Sequence, residues 1–360
     1  MLGAIIGDMV GSIYEFHNHR SKEFPFFSDD CWPTDDSIMT IALAKALLET
    51  DGKAEGLSKQ AIKWMRKIGQ QYPSCGYGGR FYSWMFSEHP QPYGSYGNGA
   101  AMRVSACGWA ANSIEEAKEL AYAVTRVTHD HEEGIWGAEA TACAIFLART
   151  GSSKEEIRQF VEDNYYDLDF TLDEIRPRYR FNESCQGTVP QAIEAFLESE
   201  SFEDAIRNAI SIGGDSDTLA AITGGIAEAF YGIPAKLRLE TILRFRKACQ
   251  EEYLPAYIDR DPDLLSVVKA FEEFKDMKGV RVLISEEPCA LYARRRLKMG
   301  MERYAVVSQQ GDDAKRCFET FACPAFCRRN GEYAVDDTLC TGCGMCLQIA
   351  PKAFKLVKRG

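Results

Sequence analysis

Two short acidic segments have the residue types and spacing to do chemistry. Thr34-Asp35-Asp36-Ser37 and Gly213-Gly214-Asp215-Ser216-Asp217-Thr218 each place two carboxylates and a threonine hydroxyl where a helical pattern begins. Taken singly, each reads as a helix N-cap, since Thr or Asp accepts orphan amide hydrogens and acids suit a first turn. Facing one another across a cleft, they become something else. Four carboxylates held together repel, and their pKa values rise. Two divalent cations offset that charge, four negatives against four positives. An all-oxygen donor set without Cys or His favours Mg²⁺ or Mn²⁺ over Zn²⁺.

The elements that must position these groups are helices. Met39, Leu43, Ala46 and Leu47 follow helical spacing behind the first pair, and Leu219, Ile222, Ile226 and Phe230 do so behind the second. Ala220, Ala221, Gly224 and Gly225 are small enough to let neighbouring helices approach closely. Further helices are expected over Leu57–Ile68, Ile114–Val127, Ala138–Ala148, Lys154–Glu162, Ala192–Leu197, Phe202–Ser211 and Ala235–Glu251. Strand-like alternation is scarce before residue 275. The loops at Tyr72–Gly79 and Pro90–Gly99 are rich in Gly, Pro and Tyr. The character changes near residue 277, where a domain boundary is expected between residues 1–277 and 278–360. Val280–Ile284 is a strand candidate, Ala293–Met299 is basic, and Gln309–Asp313 is turn-like.

Composition narrows the function classes. The chain has 360 residues, 46% hydrophobic and 26% charged, an ordinary globular balance. A net charge of −11 argues against unspecific binding to nucleic acid or an anionic membrane. No stretch approaches the ~18 apolar residues that would span a bilayer. The apolar start, Met1–Val10, is broken by Asp8 and has no basic residues before it. No signal peptide and a cytoplasmic location are therefore expected.

Thirteen cysteines divide into groups. Cys31, Cys75, Cys107, Cys143, Cys185 and Cys249 mostly sit in apolar runs and read as small buried hydrophobes. Cys289 stands alone. Cys317, Cys323, Cys327, Cys340, Cys343 and Cys346 crowd the final stretch, a pattern of metal or iron–sulfur ligation before disulfides. Cys340-Thr341-Gly342-Cys343-Gly344-Met345-Cys346 has the tight spacing of a [4Fe–4S] loop, whereas zinc sites usually use separated pairs. Cys323-Pro324 supplies a fourth ligand. A second cluster lacks three of its four ligands, because Gly311, Ala314 and Ala350 occupy those positions. One cluster is expected, on Cys323, Cys340, Cys343 and Cys346, with Cys317 and Cys327 spare.

Residues 1 to about 272 resemble the ADP-ribosylglycohydrolases, a family that includes dinitrogenase reductase-activating glycohydrolase and the ADP-ribosyl-acceptor hydrolases. Five anchors in order carry the likeness. They are Gly3–Asp8 with Gly11-Ser12 and Tyr14-Glu15-Phe16; Thr34–Ser37; Gly76-Tyr77-Gly78 with Gly97–Arg103; Thr128-His129 with Gly134 and Gly137-Ala138; and Gly213–Thr218 with Gly232-Ile233-Pro234. The resemblance implies an all-α bundle with metals at one end. One ion would be held by Thr34, Asp35, Asp36 and Asp217, the other by Asp36 or Asp215 with Asp217 and Thr218. Gly97, Asn98, Gly99, Ala100 and Met102, with His129 and Tyr77, would hold ADP-ribose, and bare amides ahead of a helix suit its diphosphate. Tyr93 and Tyr96 are further candidates to stack on adenine. Glu15 corresponds to a mobile glutamate near the metals, while His131 and Glu132 read as a solvated turn. Cleavage at the ribose anomeric carbon passes through an oxocarbenium-like state, with Asp36 or Asp215 as the base that activates water.

From about Gly279 onward the chain resembles the ferredoxin-like region of the indolepyruvate ferredoxin oxidoreductase alpha subunit, through Val282–Cys289 and both cysteine motifs. That implies a small α+β domain with one cluster, and a redox partner. It does not imply keto-acid oxidation, because the thiamine-binding body is missing. The leading expectation is thus a hydrolase that frees ADP-ribose from an acceptor, arginine favoured, with two Mg²⁺ or Mn²⁺ ions. The substrate is an ADP-ribosylated protein or a small ADP-ribose derivative. A non-catalytic ADP-ribose reader is a second class, disfavoured by four intact Asp residues. An electron carrier with a helical support is a third, disfavoured by the lost second cluster.

Overall fold

The computed structural model describes residues 1–251, 303–308, 310–312, 314–315, 318, 326–329, 331–335 and 352–358. Contacts group the chain into two compact units, Met1–Ala270 and Phe271–Gly360. The first contains α1 (Leu2–Gly11), α2 (Asp35–Leu48), α3 (Leu57–Gly69), α4 (Gly79–Phe86), α5 (Ser105–Ala110), α6 (Ile114–Thr125) and α7 (Glu132–Thr150). Then come α8 (Lys154–Asn164), α9 (Leu172–Ile175), α10 (Cys185–Leu197), α11 (Phe202–Ser211), α12 (Ser216–Tyr231) and α13 (Ala235–Glu251). Among the described residues of this unit the regular structure is helical, as expected.

Hydroxyl side chains set many of the starts. Ser113, Ser153, Thr171, Ser184 and Ser201 each accept the amide hydrogen three residues on, opening α6, α8, α9, α10 and α11. α11 and α13 begin and end where periodicity places them. α10 starts earlier than expected and runs through Pro190, with Ser184 as its cap. α7 also starts early, at Glu132, because His131 is not an idle turn residue: its ring accepts from the Glu133 amide at 3.2 Å.

The core is built around α12, which is buried at every position from Ser216 to Ala227. α1, α7, α10 and α11 pack about it. The sequence pattern did not mark α1 as a helix, since three glycines and an aspartate interrupt its apolar run. Those glycines are its contact surface. Gly3, Gly7 and Gly11 recur every fourth residue and form one ridge. A Cβ on Gly7 would lie 1.9 Å from the Ala220 carbonyl oxygen, one on Gly3 2.2 Å from that of Gly224, and one on Gly11 2.5 Å from Asp217 Cα. Backbone meets backbone along this seam. The amide of Gly3 also donates to Glu228 Oε2 at 2.8 Å, tying the far end of α12 to the start of α1. Cys31, Cys75, Cys107, Cys143 and Cys185 are buried and form no disulfide, as expected of small hydrophobes.

In the second unit β1 (Arg303–Val307) pairs antiparallel with β4 (Phe354–Lys358), and β2 (Phe326–Arg329) pairs antiparallel with β3 (Glu332–Val335). Phe318 stacks on Phe326 with centroids 4.1 Å apart and packs on Tyr333 at 4.7 Å. Gln310 exchanges two hydrogen bonds with the Tyr333 backbone, donating at 2.8 Å and accepting at 3.0 Å. Cys327 is half-buried in β2, its thiol donating to the Ala334 carbonyl at 3.5 Å. The expected ligands Cys323, Cys340, Cys343 and Cys346 lie outside the described residues, as do Cys289, Cys317, Val280–Ile284, Ala293–Met299 and the boundary near 277.

Gly7→Ala should lose at least about 2 kcal/mol through overpacking, although alanine is the better helix former by about 1 kcal/mol. Urea midpoints measure this. Gly79→Ala is the control, since nothing lies within 4 Å of a Cβ there, and it should lose nothing.

Candidate metal centre

The glycine seam brings Asp8 of α1 against the start of α2. Asp8 is fully buried. Its Oδ2 accepts from the amides of Thr34 at 3.0 Å and Ser37 at 3.1 Å, and from the Ser37 hydroxyl. Its Oδ1 accepts from the Thr34 hydroxyl at 2.7 Å. An acid in the middle of one helix thus caps another. Thr34 is also the local cap, its hydroxyl accepting the Asp36 amide at 3.4 Å. At α12 the bland reading fails: Asp215 occupies the N-cap position yet makes no capping bond. Its Oδ2 instead accepts from the Asn98 amide nitrogen at 2.7 Å.

Two carboxylate triads result. Oxygens of Asp8, Asp36 and Asp217 lie within 4.8 Å of one another, and so do those of Glu15, Asp215 and Asp217. Asp217 belongs to both. The two acidic segments therefore do share one cluster. Asp36 Oδ2 accepts from the Thr218 hydroxyl at 3.3 Å, with the Thr34 hydroxyl 3.4 Å away. Asp36 Oδ1 and Asp217 Oδ1 are buried with no hydrogen-bond partner. Buried carboxylate oxygens without a donor are expensive, and cations are what would satisfy them. The residues present therefore fit hard divalent ions.

Burial, then the charges of neighbouring acids, raises these carboxyls. Asp36 and Asp215 are pushed well above the ordinary range by burial first and Asp217 next. Asp8 is raised to about 7 by burial and then Asp217, against the hydrogen bonds from Ser37 and Thr34. Glu15, half-buried, is raised to about 8 by burial, Asp217, Asp8 and Glu183 in that order. Asp35 is raised by burial, Asp217 and Asp8. It is half-buried and falls in neither triad; Asp8, which stands in one of them, is a residue that sequence reasoning missed. The available signal was an aspartate inside an apolar, glycine-ridged run.

Two further residues hold the cluster together. The Asn18 side-chain nitrogen lies 2.9 Å from each of the carbonyls of Tyr14, Glu15 and Gly214, which share its two hydrogens, and its oxygen accepts the Gly214 amide at 2.8 Å. Arg20 donates to the carbonyls of Ile212 at 2.9 Å and Tyr179 at 2.7 Å. The Glu15 segment is thereby clasped to the turn before Asp215. Gly213 and Gly214 have φ of +71° and +82°, a conformation that favours glycine.

The glycine loop joins the cluster through Asn98. Its amides are less bare than expected: Gly97 donates to Ser95 Oγ at 3.2 Å, Asn98 to the Glu183 carbonyl at 2.7 Å, and Ala100 and Ala101 within the loop. Ala100 and Met102 are buried, and the Thr218 hydroxyl lies 4.0 Å from Met102 Sδ. His129 is buried, and burial followed by Arg103 and Arg80 holds its pKa well below the usual value. Tyr77 stacks on Phe81 at 5.7 Å with its hydroxyl end towards Gly69. Tyr93 lies 5.9 Å from the His129 ring, and Tyr96 is exposed against His131.

Several known proteins are similar to this chain. Human ADP-ribosylhydrolase ARH3 is 28% identical over 313 residues, covering 65% of this chain and 84% of that protein. The indolepyruvate oxidoreductase subunit IorA of Thermococcus kodakarensis is 29% identical over 154 residues, covering 39% of this chain and 23% of that one. A solved chain titled ADP-ribosylglycohydrolase-related protein complex matches with TM-score 0.49 and 22% identity, over 69% of this chain and 95% of that chain. The ADP-ribosylglycohydrolase family model matches residues 1–271. The chain therefore belongs to the ADP-ribosylglycohydrolase family, metal-dependent hydrolases of ADP-ribose glycosidic bonds.

Proposed function

We propose that residues 1–277 release ADP-ribose from an ADP-ribosylated protein side chain, arginine favoured, at a dinuclear Mg²⁺ or Mn²⁺ site. The observation that carries this is the pair of carboxylate triads sharing Asp217, with unpartnered buried oxygens on Asp36 and Asp217. Asp36, Asp215, Asp217 and Glu15, with Thr34, Thr218 and Asp35, would hold two ions, which when bound supply positive charge to ribose hydroxyls and polarise the anomeric carbon. Asp8 has both oxygens engaged by Thr34 and Ser37, so its part is to orient the α2 start. Asp36 or Asp215 takes a proton from the attacking water. The hydroxide joins the anomeric carbon as the bond to the acceptor breaks, and the acceptor leaves with a proton. The surrounding carboxylates favour the positive charge that develops on the sugar. Gly97, Asn98, Gly99, Ala100, Met102, His129 and Tyr77 form the ADP-ribose side of the site.

Residues 278–360 form the second domain in this reading, with one [4Fe–4S] cluster on Cys323, Cys340, Cys343 and Cys346. The cluster would let a redox partner tune the hydrolase. Among the described residues no helix is long and apolar enough to cross a membrane, and we place the protein in the cytoplasm.

Asp217→Asn should lower ADP-ribose release from ADP-ribosylated protein by at least about 100-fold, and EDTA should abolish release by the unaltered chain. Binding of ADP-ribose without release, insensitive to EDTA, would favour a reader instead. The pH dependence follows from the raised carboxyls. Asp8 and Glu15 keep their protons in the folded protein up to about pH 7 and about pH 8, while the unfolded chain releases them near pH 4. Raising pH through that window therefore removes stability from the metal-free protein, and cations restore it by binding the ionised set. The rise in Tm on adding Mg²⁺ or Mn²⁺ should be larger at about pH 8 than at about pH 5; an equal rise would remove the carboxylates as ligands. Anaerobically purified protein should contain about four iron and four sulfide per chain, and Cys343→Ser should lose them.

A further inference from the structure

Arg103 is 1% exposed and has no ion-pair partner among the described residues. Burial lowers its pKa only to about 10, so it stays charged at neutral pH. Its Nε has no hydrogen-bond partner, and its guanidinium carbon lies 5.4 Å from the Phe81 ring centroid. A buried cation left without a carboxylate is a heavy burden on a fold. Its Nη2 contacts say what it is for. Nη2 donates to Thr128 Oγ1 at 2.7 Å and to His129 Nδ1 at 3.3 Å. The same Thr128 oxygen lies 2.7 Å from His129 Nδ1.

Guanidinium has donors and no acceptor. Thr128 Oγ1 must therefore accept from Arg103, and its own hydrogen goes to the shorter contact, Nδ1 at 2.7 Å, rather than to the Thr125 carbonyl at 3.4 Å. Nδ1 is an acceptor in both contacts, so the one proton of the neutral imidazole sits on Nε2. That nitrogen faces the glycine loop: a Cβ on Gly97 or Gly99 would lie 3.5 or 3.6 Å from it. The loop presents no side chain to that edge of the ring.

We infer that Arg103 is a positioning residue which, through Thr128, fixes His129 as a neutral Nε2–H donor aimed at an oxygen of the ligand on the Gly97–Gly99 loop. This rests on the proposed ADP-ribose reading for the identity of that ligand, while the relay itself rests on the contacts alone.

The test combines nitrogen NMR with binding. Histidine ¹⁵N spectra of the full chain, with the His129 signals assigned by their loss in His129→Gln, should show the Nε2–H tautomer across neutral pH. Thr128→Ser keeps the hydroxyl and should keep the tautomer. Thr128→Val and Arg103→Met should admit the Nδ1–H form and weaken ADP-ribose binding about tenfold to hundredfold. Calorimetric Mn²⁺ binding should be unchanged in both, which separates loss of the relay from loss of fold. An Nδ1–H or doubly protonated His129 in the unaltered chain overturns the inference without any variant. So does undiminished ADP-ribose affinity in folded Thr128→Val. If the unaltered chain ignores ADP-ribose yet shows the Nε2–H signal, the ligand assignment falls and the relay stands.

Discussion

The close approach of α1 to α12 is the constraint on which the site depends. Gly7 lets the backbone of one helix rest on the Ala220 carbonyl of the other, and Gly11 does the same at Asp217. Packing of that kind sets both the separation and the register of the pair, because a shift of one residue would put Ile6 or Asp8 where a glycine is needed. With the register set, Asp8 faces the start of α2 and Asp217 lies beside it. The seam at once builds the core and assembles a charged cluster that no helix would tolerate on its own.

The cluster shows how a fold keeps several carboxylates together in a buried place. Some are satisfied by donors: Asp8 by two amides and two hydroxyls, Asp215 by Asn98. Others are left with an oxygen exposed to nothing, at Asp36 and Asp217. That division sets Asp8, held at both oxygens, apart from Asp36 and Asp217, each with an oxygen that no donor reaches. It also explains why Asp215 gives up the capping role its position offers. A carboxylate turned back onto its own helix amides would have been lost to the cluster.

Much of this was legible in the residue pattern, and the failures share a cause. α11 and α13 were readable to the residue because their apolar faces repeat cleanly. The meeting of Thr34–Ser37 with Gly213–Thr218 was readable because each carries an unusual density of acid at a helix start. α1 was not, since helical periodicity is judged by apolar side chains and its contact face has none. Asp8 was hidden with it. Asp35 and Asp36 are neighbours in sequence but lie about 100° apart around a helix, and only packing decides which one enters a triad. Arg103, Asn18 and Arg20 act on partners from 25 to nearly 200 residues away, a distance over which spacing carries no information. The cysteine ligands are a different case, resting on spacing alone.

Asn98 has a property that follows from counting hydrogens. Its side-chain nitrogen sits near three acceptors, Asp215 Oδ2 at 2.7 Å, Thr188 Oγ1 at 3.2 Å and the Asn182 carbonyl at 3.5 Å. An amide nitrogen carries two hydrogens, so one of the three is always poorly served. Asp215 lies nearest and takes the better of those hydrogens, so the carboxylate at the start of α12 is tied to the glycine loop through one side chain.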